Sequence, residues 1–186
     1  MKSVLMSIQP KWVEKIANGE KTIEVRRTRP KLEVPFKCYI YETKGQYIKF
    51  IHGAHTKYGY GRGKVISEFI CEKVYSIKNR GSSFSVADEE QSVTNEIARQ
   101  SCLCYDDMVS YFGNKDGFGW HISDLKIYDK PKELGDFKKH CHYKDRNSYC
   151  LANECEYYSD WTGICCNWVE RPPQSWCYVE DLGEEK

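Results

Sequence analysis

Residues 18–27 read Asn-Gly-Glu-Lys-Thr-Ile-Glu-Val-Arg-Arg, and this stretch decides the fold that the sequence predicts. Its Asn-Gly pair predicts the end of a helix, because glycine adopts the left-handed conformation at little cost. After the turn, Ile23 and Val25 alternate with Glu24 and Arg26, and a strand points alternate side chains to opposite faces. We therefore expect Ile23 and Val25 to face a core. Periodicity alone favours an ordinary charged surface on the other face; the alternative is a ligand site at a helix–strand junction.

The sequence on both sides of this stretch predicts an α+β fold. An amphipathic helix is predicted over residues 10–18, and Pro10 suits its first turn. Strands separated by short helices and glycine-marked turns indicate the α+β class. The predicted strands are 3–8, 36–42, 64–77 (bent or bulged), 118–128 and 175–180, and the predicted helices are 88–101, 105–112 and a short one near 133–139. Residues 44–60 are polar and aromatic, which predicts a flexible loop or a short irregular insertion.

Length and charge exclude several classes of protein. A chain of 186 residues suits one domain with a real core. The net charge of +1 provides no global field toward nucleic acid or membrane, although basic residues cluster at 26–31. The apolar runs are too short to cross a bilayer, and the N-terminus does not resemble a secretory signal. We therefore predict a cytoplasmic protein without a membrane partner.

Five motifs in order along the chain resemble those of ASCH domains, which belong to the PUA-like superfamily. Met-Ser-Ile-Gln-Pro at 6–10 and Gly-Glu-Lys-Thr-Ile-Glu-Val-Arg at 19–26 resemble the family's opening. Gly-Lys-Val-Ile at 63–66 and Gly-Trp-His-Ile-Ser-Asp-Leu at 119–125 resemble later strands. Pro-Pro-Gln-Ser-Trp-Cys-Tyr-Val at 172–179 resembles the closing strand of phage-associated and bacterial members.

The resemblance implies a PUA-like mixed β pseudo-barrel with short flanking helices. It covers most of residues 1–128 and 171–181. We expect one domain over 1–186, with a Cys-rich insertion at 139–171 before the closing strand.

A pseudo-barrel of this kind would bring three groups of residues to an open cleft beside the first helix. They are Lys21, Glu24 and Arg26 from the opening motif, His121 and Ser123 from the late strand, and Ser175, Trp176 and Tyr178 from the closing strand. Charge next to aromatic area suits RNA, or a nucleoside or nucleotide ligand, because bases stack on rings and phosphates pair with cations. The structural alternatives are that His121 forms its hydrogen bonds within the fold and that Trp176 belongs to the core.

An enzymatic function is the alternative to binding alone. Some ASCH-like proteins are amidohydrolases that remove the acetyl group of acetylated cytidine, and their motif resembles Gly-x-Lys-Thr-x-Thr-x-Arg with the lysine and second threonine catalytic. Lys21 matches that lysine, but Glu24 stands in place of the threonine. A carboxylate differs from a hydroxyl nucleophile in geometry and charge. The candidate catalytic residues are therefore Lys21 and Glu24, with a modified nucleoside or RNA (as in a ribonuclease) as substrate.

The ten cysteines are unevenly distributed along the chain. A disulfide framework is not expected in a cytosolic protein. Four cysteines lie in apolar sequence and are predicted to be small buried side chains: Cys38, Cys71, Cys102 and Cys104. Six others crowd the last quarter, where paired soft ligands favour a structural zinc ion. The predicted ligands are Cys141, Cys150, Cys155 and either Cys165 or Cys166, and the alternative is unliganded thiols.

The sequence therefore leaves three functional hypotheses open. The first is binding of RNA or a nucleotide-like ligand around the opening motif. The second is a small enzyme acting on a modified nucleoside or RNA. The third is a protein-interaction module of phage or mobile-element origin, with the Cys-rich lobe as its contact surface.

Overall fold

The computed structural model describes residues 2–51, 55–81, 83–140, 158–159, 164–165 and 167–183. Its larger elements mix strands with three α-helices, which confirms the α+β class. In chain order they are β1 (Lys2–Ile8), α1 (Pro10–Ala17), β2 (Ile23–Arg26), β3 (Phe36–Glu42), β4 (Gln46–Ile51), β5 (His55–Tyr60), β6 (Lys64–Cys71), β7 (Val74–Asn79), β8 (Phe84–Val86), α2 (Gln91–Ser101), α3 (Tyr105–Phe112), β9 (Gly117–His121), β10 (Ser123–Lys132), a 3₁₀ turn (Leu134–Asp136), β11 (Tyr158–Ser159), β12 (Ile164–Cys165) and β13 (Trp176–Glu180).

Two sheets form the body of the described chain. The five-stranded sheet has the order β10-β6-β3-β1-β13, and the four-stranded sheet has the order β2-β9-β7-β8. β1 and β3 pair in parallel, whereas β13 closes antiparallel on the other edge of β1. Two long runs pass from one sheet to the other: β6 leads into β7 after Cys71, and β9 leads into β10 after His121. The predicted bend in 64–77 is thus confirmed, and the sheets curl together without closing into a barrel.

Three apolar clusters fill the layers around these sheets. The central cluster lies between the sheets and α1, and it includes Met6, Ile40 and the fully buried Trp120. A second cluster covers the other face of the five-stranded sheet. The third packs Ile23 and Val25 of β2 against helices α2 and α3. The alternation in β2 therefore predicted its core-facing side correctly.

Helix α1 ends as the sequence predicts. Pro10 occupies the first turn, where a backbone N–H would have no helical partner. Gly19 takes a φ of +74°, and its N–H donates to the carbonyl of Ile16 at 3.0 Å. This left-handed stop turns the chain directly into the Lys21–Arg26 segment.

Two sequence-based expectations are wrong. Within the segment predicted to be a loop, β4 and β5 form an antiparallel hairpin that pairs from Gln46↔Tyr60 to Ile51↔His55. Its glycine-rich end obscured the strand pattern, but Gly61 is needed there, because a Cβ would lie 1.9 Å from the Thr43 carbonyl oxygen. Of the four cysteines predicted to be buried, Cys38 and Cys71 are, whereas Cys102 is only partly buried and Cys104 is exposed, since its thiol caps the start of α3. No helix within the described residues is long and apolar enough to cross a membrane.

Candidate functional site

A cavity of about 590 Å³ opens beside α1, between the ends of β1 and β2 and helix α3. Its floor consists of Lys21, Glu24 and Arg26, which we call the cavity floor. Its edge carries two cations and two aromatic rings, which we call the cavity rim: Lys11, Trp12, Arg27 and Tyr111. The two sets differ in burial, and that difference determines what each can do.

The cavity floor is a buried ion cluster. The Glu24 carboxylate lies 3.4 Å from Lys21 Nζ and 3.0 Å from Arg26 Nε. All three residues are at most 7% exposed. A buried charge is tolerated only when it is paired and hydrogen-bonded, so each of the three depends on the others.

Arg26 connects the two sheets. One terminal nitrogen donates to the Ser7 carbonyl at 2.7 Å, and the other donates to the Ser175 carbonyl at 3.2 Å. Ser7 lies in β1 and Ser175 directly precedes β13, so a residue of the four-stranded sheet anchors two strands of the five-stranded sheet. These carbonyls occupy both terminal nitrogens, and the buried Nε lies within ion-pair distance of Glu24 without a hydrogen bond, so the guanidinium has a structural role.

Lys21 is bound in a similar way. Its ammonium donates to the carbonyl of Ile23 at 2.8 Å and to that of Ser101 at 2.7 Å. Ser101 is the last residue of α2, where the helix dipole favours a positive charge. Burial nevertheless lowers the pKa of Lys21, and the neighbouring Glu24 carboxylate only partly offsets the effect.

The cavity rim is accessible. Lys11 and Arg27 are exposed, and Lys11 Nζ lies 4.4 Å from the centre of the Trp12 ring. Arg27 packs over Tyr111 at 5.2 Å and donates to its carbonyl from Nε at 2.8 Å. The rings hold these two cations at the protein surface, where they can contact a ligand without giving up a buried partner.

Residues predicted from the closing strand lie beside the cavity rather than in it. Ser175 contacts Arg26, as described above. Trp176 packs on Trp120 with ring centres 5.9 Å apart, and its Nε1 donates to Thr28 Oγ1 at 3.0 Å. Tyr178 packs on Trp176 and accepts a hydrogen bond from the Lys31 amide at 2.7 Å. Trp176 and Tyr178 therefore support the basic loop that follows β2.

The late-strand residues are not brought to the cavity. His121 pairs with Ile23 across the ladder, so it shares the face of Ile23 and not that of Glu24. The Ser123 hydroxyl donates to the Ile70 carbonyl at 2.8 Å. The residue of this strand that lies opposite Glu24 is Trp120.

The predicted zinc ligands Cys141, Cys150, Cys155 and Cys166 lie outside the described residues. Within the described part of the chain, His, Cys, Asp and Glu side chains form no group of three or more that could hold a metal. Zinc in the Cys-rich segment remains a prediction, and elemental analysis of protein purified without chelator should find about one zinc per chain if four cysteines close a tetrahedral site.

Sequence reasoning missed most of the cavity rim. Trp12 lies in the predicted first helix and packs against the central apolar cluster, and Tyr111 lies in the predicted helix 105–112, so neither position signals a ligand site. Arg27 lies within the basic cluster at 26–31, and this cluster is the sequence signal that points to the cavity rim. Charge and aromatic area meet here only because α3 packs across the end of β2.

Fold and site together define an α+β domain of two curled sheets with a charged cavity at the junction of the first helix and second strand. The ASCH domain family model matches residues 6–164, so the chain belongs to the ASCH family. The fold is that of the PUA-like superfamily. Among curated proteins, none matches the chain in sequence.

Solved structures of an ASCH protein from Zymomonas mobilis share this fold. One is 16% identical, with a TM-score of 0.53, and the match covers 96% of this chain and 87% of that one. A tyrosine-to-phenylalanine variant of the same protein is 16% identical, with a TM-score of 0.54 and coverages of 97% and 91%. A serine-to-alanine variant is 15% identical, with a TM-score of 0.52 and coverages of 96% and 88%. At these identities the likeness supports the fold alone.

Proposed function

We propose that this protein binds RNA, or a nucleotide-like ligand, in the cavity beside α1. The main observation that supports this proposal is the cavity rim, where the exposed Lys11 and Arg27 lie next to the rings of Trp12 and Tyr111. Membership of a PUA-like family often linked to RNA binding supports the same proposal.

The charge around the cavity suits an anion. Four cationic and two anionic side chains line it, the anions being Glu24 and Asp107. Glu24 is neutralised by its two partners on the floor, and Asp107 receives the Cys104 amide at 3.1 Å. In this proposal Lys11 and Arg27 contact phosphate, while a base packs against the part of the Trp12 or Tyr111 ring that its cation leaves open.

Variants of the cavity rim test this proposal. Arg27→Ala and Lys11→Ala should each weaken binding of single-stranded RNA and flatten its salt dependence, because each lost phosphate contact releases about 0.7 fewer counterions. Lys126→Ala is a matched control, since Lys126 is 66% exposed on β10 and does not line the cavity.

Fluorescence anisotropy at several salt concentrations measures both the affinity and the slope. The absence of RNA or nucleotide binding by the wild type, or equal losses in the rim variants and the control, would falsify the proposal.

A second candidate is an enzyme acting on a modified nucleoside or on RNA. The observation that favours it is Lys21, a buried lysine with a lowered pKa beside Glu24 in the wall of a cavity. Against it, the Lys21 ammonium already contacts two carbonyls and Glu24. Incubation with N4-acetylcytidine and with RNA, followed by chromatography of the products, decides between binding and turnover.

A further inference from the structure

The β4–β5 hairpin contributes no described residue to the lining of the cavity. From Thr43 to Ser67 the sequence contains no aspartate or glutamate, but it contains five lysines and arginines: Lys44, Lys49, Lys57, Arg62 and Lys64. Two of these cations already face acids, since Arg62 Nε lies 4.0 Å from Glu42 and Lys64 pairs with Glu133, and only Lys49 and Lys57 lie within the paired strands. The hairpin and its flanking residues are thus locally basic in a chain with nearly equal numbers of acids and bases. Such local excess is typical of surfaces that contact a polyanion.

Two large aromatic side chains project from the same hairpin. Tyr58 is 58% exposed and Tyr60 is 70% exposed, and they are the two most exposed large hydrophobic residues in the described chain. They are two residues apart on β5, so they share one face of the ladder. Exposed rings next to cations are the combination by which proteins hold single-stranded nucleic acid, because every base has a face that can stack.

The hairpin is fixed beside the cavity. A groove of about 590 Å³ runs along its base, and Gln9, Lys11 and Thr43 line both this groove and the cavity. The Thr43 amide donates to the Ile8 carbonyl at 2.9 Å, which holds the start of the hairpin against the end of β1. Gln46 also lines the groove and pairs directly with Tyr60 in the ladder. The groove therefore adjoins the cavity at one end and reaches the ladder position opposite Tyr60 at the other.

We propose that the β4–β5 hairpin is a second contact surface for single-stranded RNA, on which Tyr58 and Tyr60 stack bases of a strand that leaves the cavity along this groove. The inference rests on the proposed function and makes it more specific: the ligand is an RNA segment of several nucleotides rather than a single nucleotide. Free uridine monophosphate would occupy the cavity without reaching the hairpin.

The test compares a short and a long probe. The short probe is uridine monophosphate, and the long probe is labelled oligouridylate of roughly twelve nucleotides, a length within the site sizes of single-strand binding proteins. The double variant Tyr58→Ala/Tyr60→Ala should bind the long probe about tenfold more weakly or worse, and should bind the short probe as the wild type does. The double variant Tyr58→Phe/Tyr60→Phe keeps both rings and should retain binding of the long probe.

Two further measurements make the test independent of folding and of simple charge. Ultraviolet cross-linking of the wild type to oligouridylate, followed by mass spectrometry, should place cross-links at Tyr58 or Tyr60. Polyglutamate of matched charge should compete poorly, because it offers charge without bases. Effective competition that also depends on the two rings would identify an acidic protein surface as the partner and overturn the proposal.

Other outcomes separate the hairpin from the cavity. If the alanine variant binds the long probe with the affinity of the wild type, the hairpin proposal is overturned and the cavity proposal stands. The same follows if the wild type binds the long probe no more tightly than the short probe. Equal losses in the alanine and phenylalanine variants overturn stacking. Tyrosine-dependent binding of the long probe without any uridine monophosphate binding supports the hairpin and removes the cavity from the proposed function. Binding of neither probe overturns both.

Discussion

The cavity floor buries Lys21, Glu24 and Arg26, whereas the cavity rim exposes Lys11 and Arg27. Lys21 and the terminal nitrogens of Arg26 donate to backbone carbonyls, and both cations form ion pairs with Glu24. Arg27 packs on the Tyr111 ring, donates to its carbonyl and remains open to solvent. Cations that lie a few residues apart therefore divide into structural and ligand-accessible groups according to burial.

The largest loss of stability is expected from substitutions in the cavity floor. Glu24→Gln removes the anion between two buried cations and should reduce the free energy of unfolding by about 3–5 kcal/mol, the usual cost of breaking a buried pair. Glu20→Gln, in the same motif, removes an exposed partner of Lys15 at 3.1 Å and should leave that free energy nearly unchanged. Urea denaturation measures both, and equal stability of the two variants would show that Glu24 is not required to balance the floor.

A smaller loss of stability is expected at Trp176. Its half-buried ring packs between Trp120 and Tyr178, so Trp176→Ala should cost about 2 kcal/mol, less than truncation of a fully buried tryptophan. Because Trp176 does not line the cavity, the affinity for uridine monophosphate should not change. Weaker binding by a folded Trp176→Ala protein would instead support the sequence-based assignment of Trp176 as a stacking residue.

The pH dependence of stability isolates Lys21. Its pKa is lowered in the folded state by burial, so between that pKa and the ordinary value of 10.5 the unfolded state binds more protons. Stability from this group therefore increases with pH in that window, by at most about 1.4 kcal/mol per pH unit. The unfolding free energy of the wild type minus that of Lys21→Met should therefore increase as pH approaches 10.5. Chemical denaturation at several pH values measures it, and a constant or shrinking difference contradicts the burial argument.

The smallest effect on stability is expected at the rim. Lys11→Ala and Arg27→Ala remove exposed side chains and should change the free energy of unfolding by less than about 1 kcal/mol. Thermal unfolding monitored by circular dichroism checks this expectation. A rim variant as unstable as Glu24→Gln would mean that the rim is structural too, and its binding defect could not then be assigned to lost ligand contacts.

Much of the fold was predictable because its signals are local. The alternation of Ile23 and Val25 with their charged neighbours identified β2 and its core-facing side. The helix stop at Gly19 was predicted for the same reason, since a left-handed residue is needed wherever the chain leaves a helix so abruptly. The hairpin of β4 and β5 was missed although Gln46–Ile51 is rich in the aromatic and β-branched residues that favour strands, because the polar residues and glycines of β5 and its flanks dominate the composition of the segment.

The candidate site was predictable only in part. The opening motif contains Lys21, Glu24 and Arg26, which line a cavity, but His121 falls on the opposite face of the sheet because of the register between β2 and β9. A shift of one residue in that pairing would exchange His121 and Trp120. Register depends on the whole sheet, so the identity of the strand alone could not decide which of the two lies opposite Glu24.

The sequence by itself determined the first helix and its stop, the core-facing side of β2 and the positions of the charged residues at 21–27 and 44–64, but not the β4–β5 hairpin. Only the tertiary structure decided which of those charges are available to a ligand. The reason is the distance along the chain between partners: Arg26 is held by Ser175, 149 residues away, and Lys21 by Ser101, 80 residues away. Periodicity reports the local direction of a side chain, whereas its hydrogen-bond partners and burial depend on segments that meet only in the folded molecule.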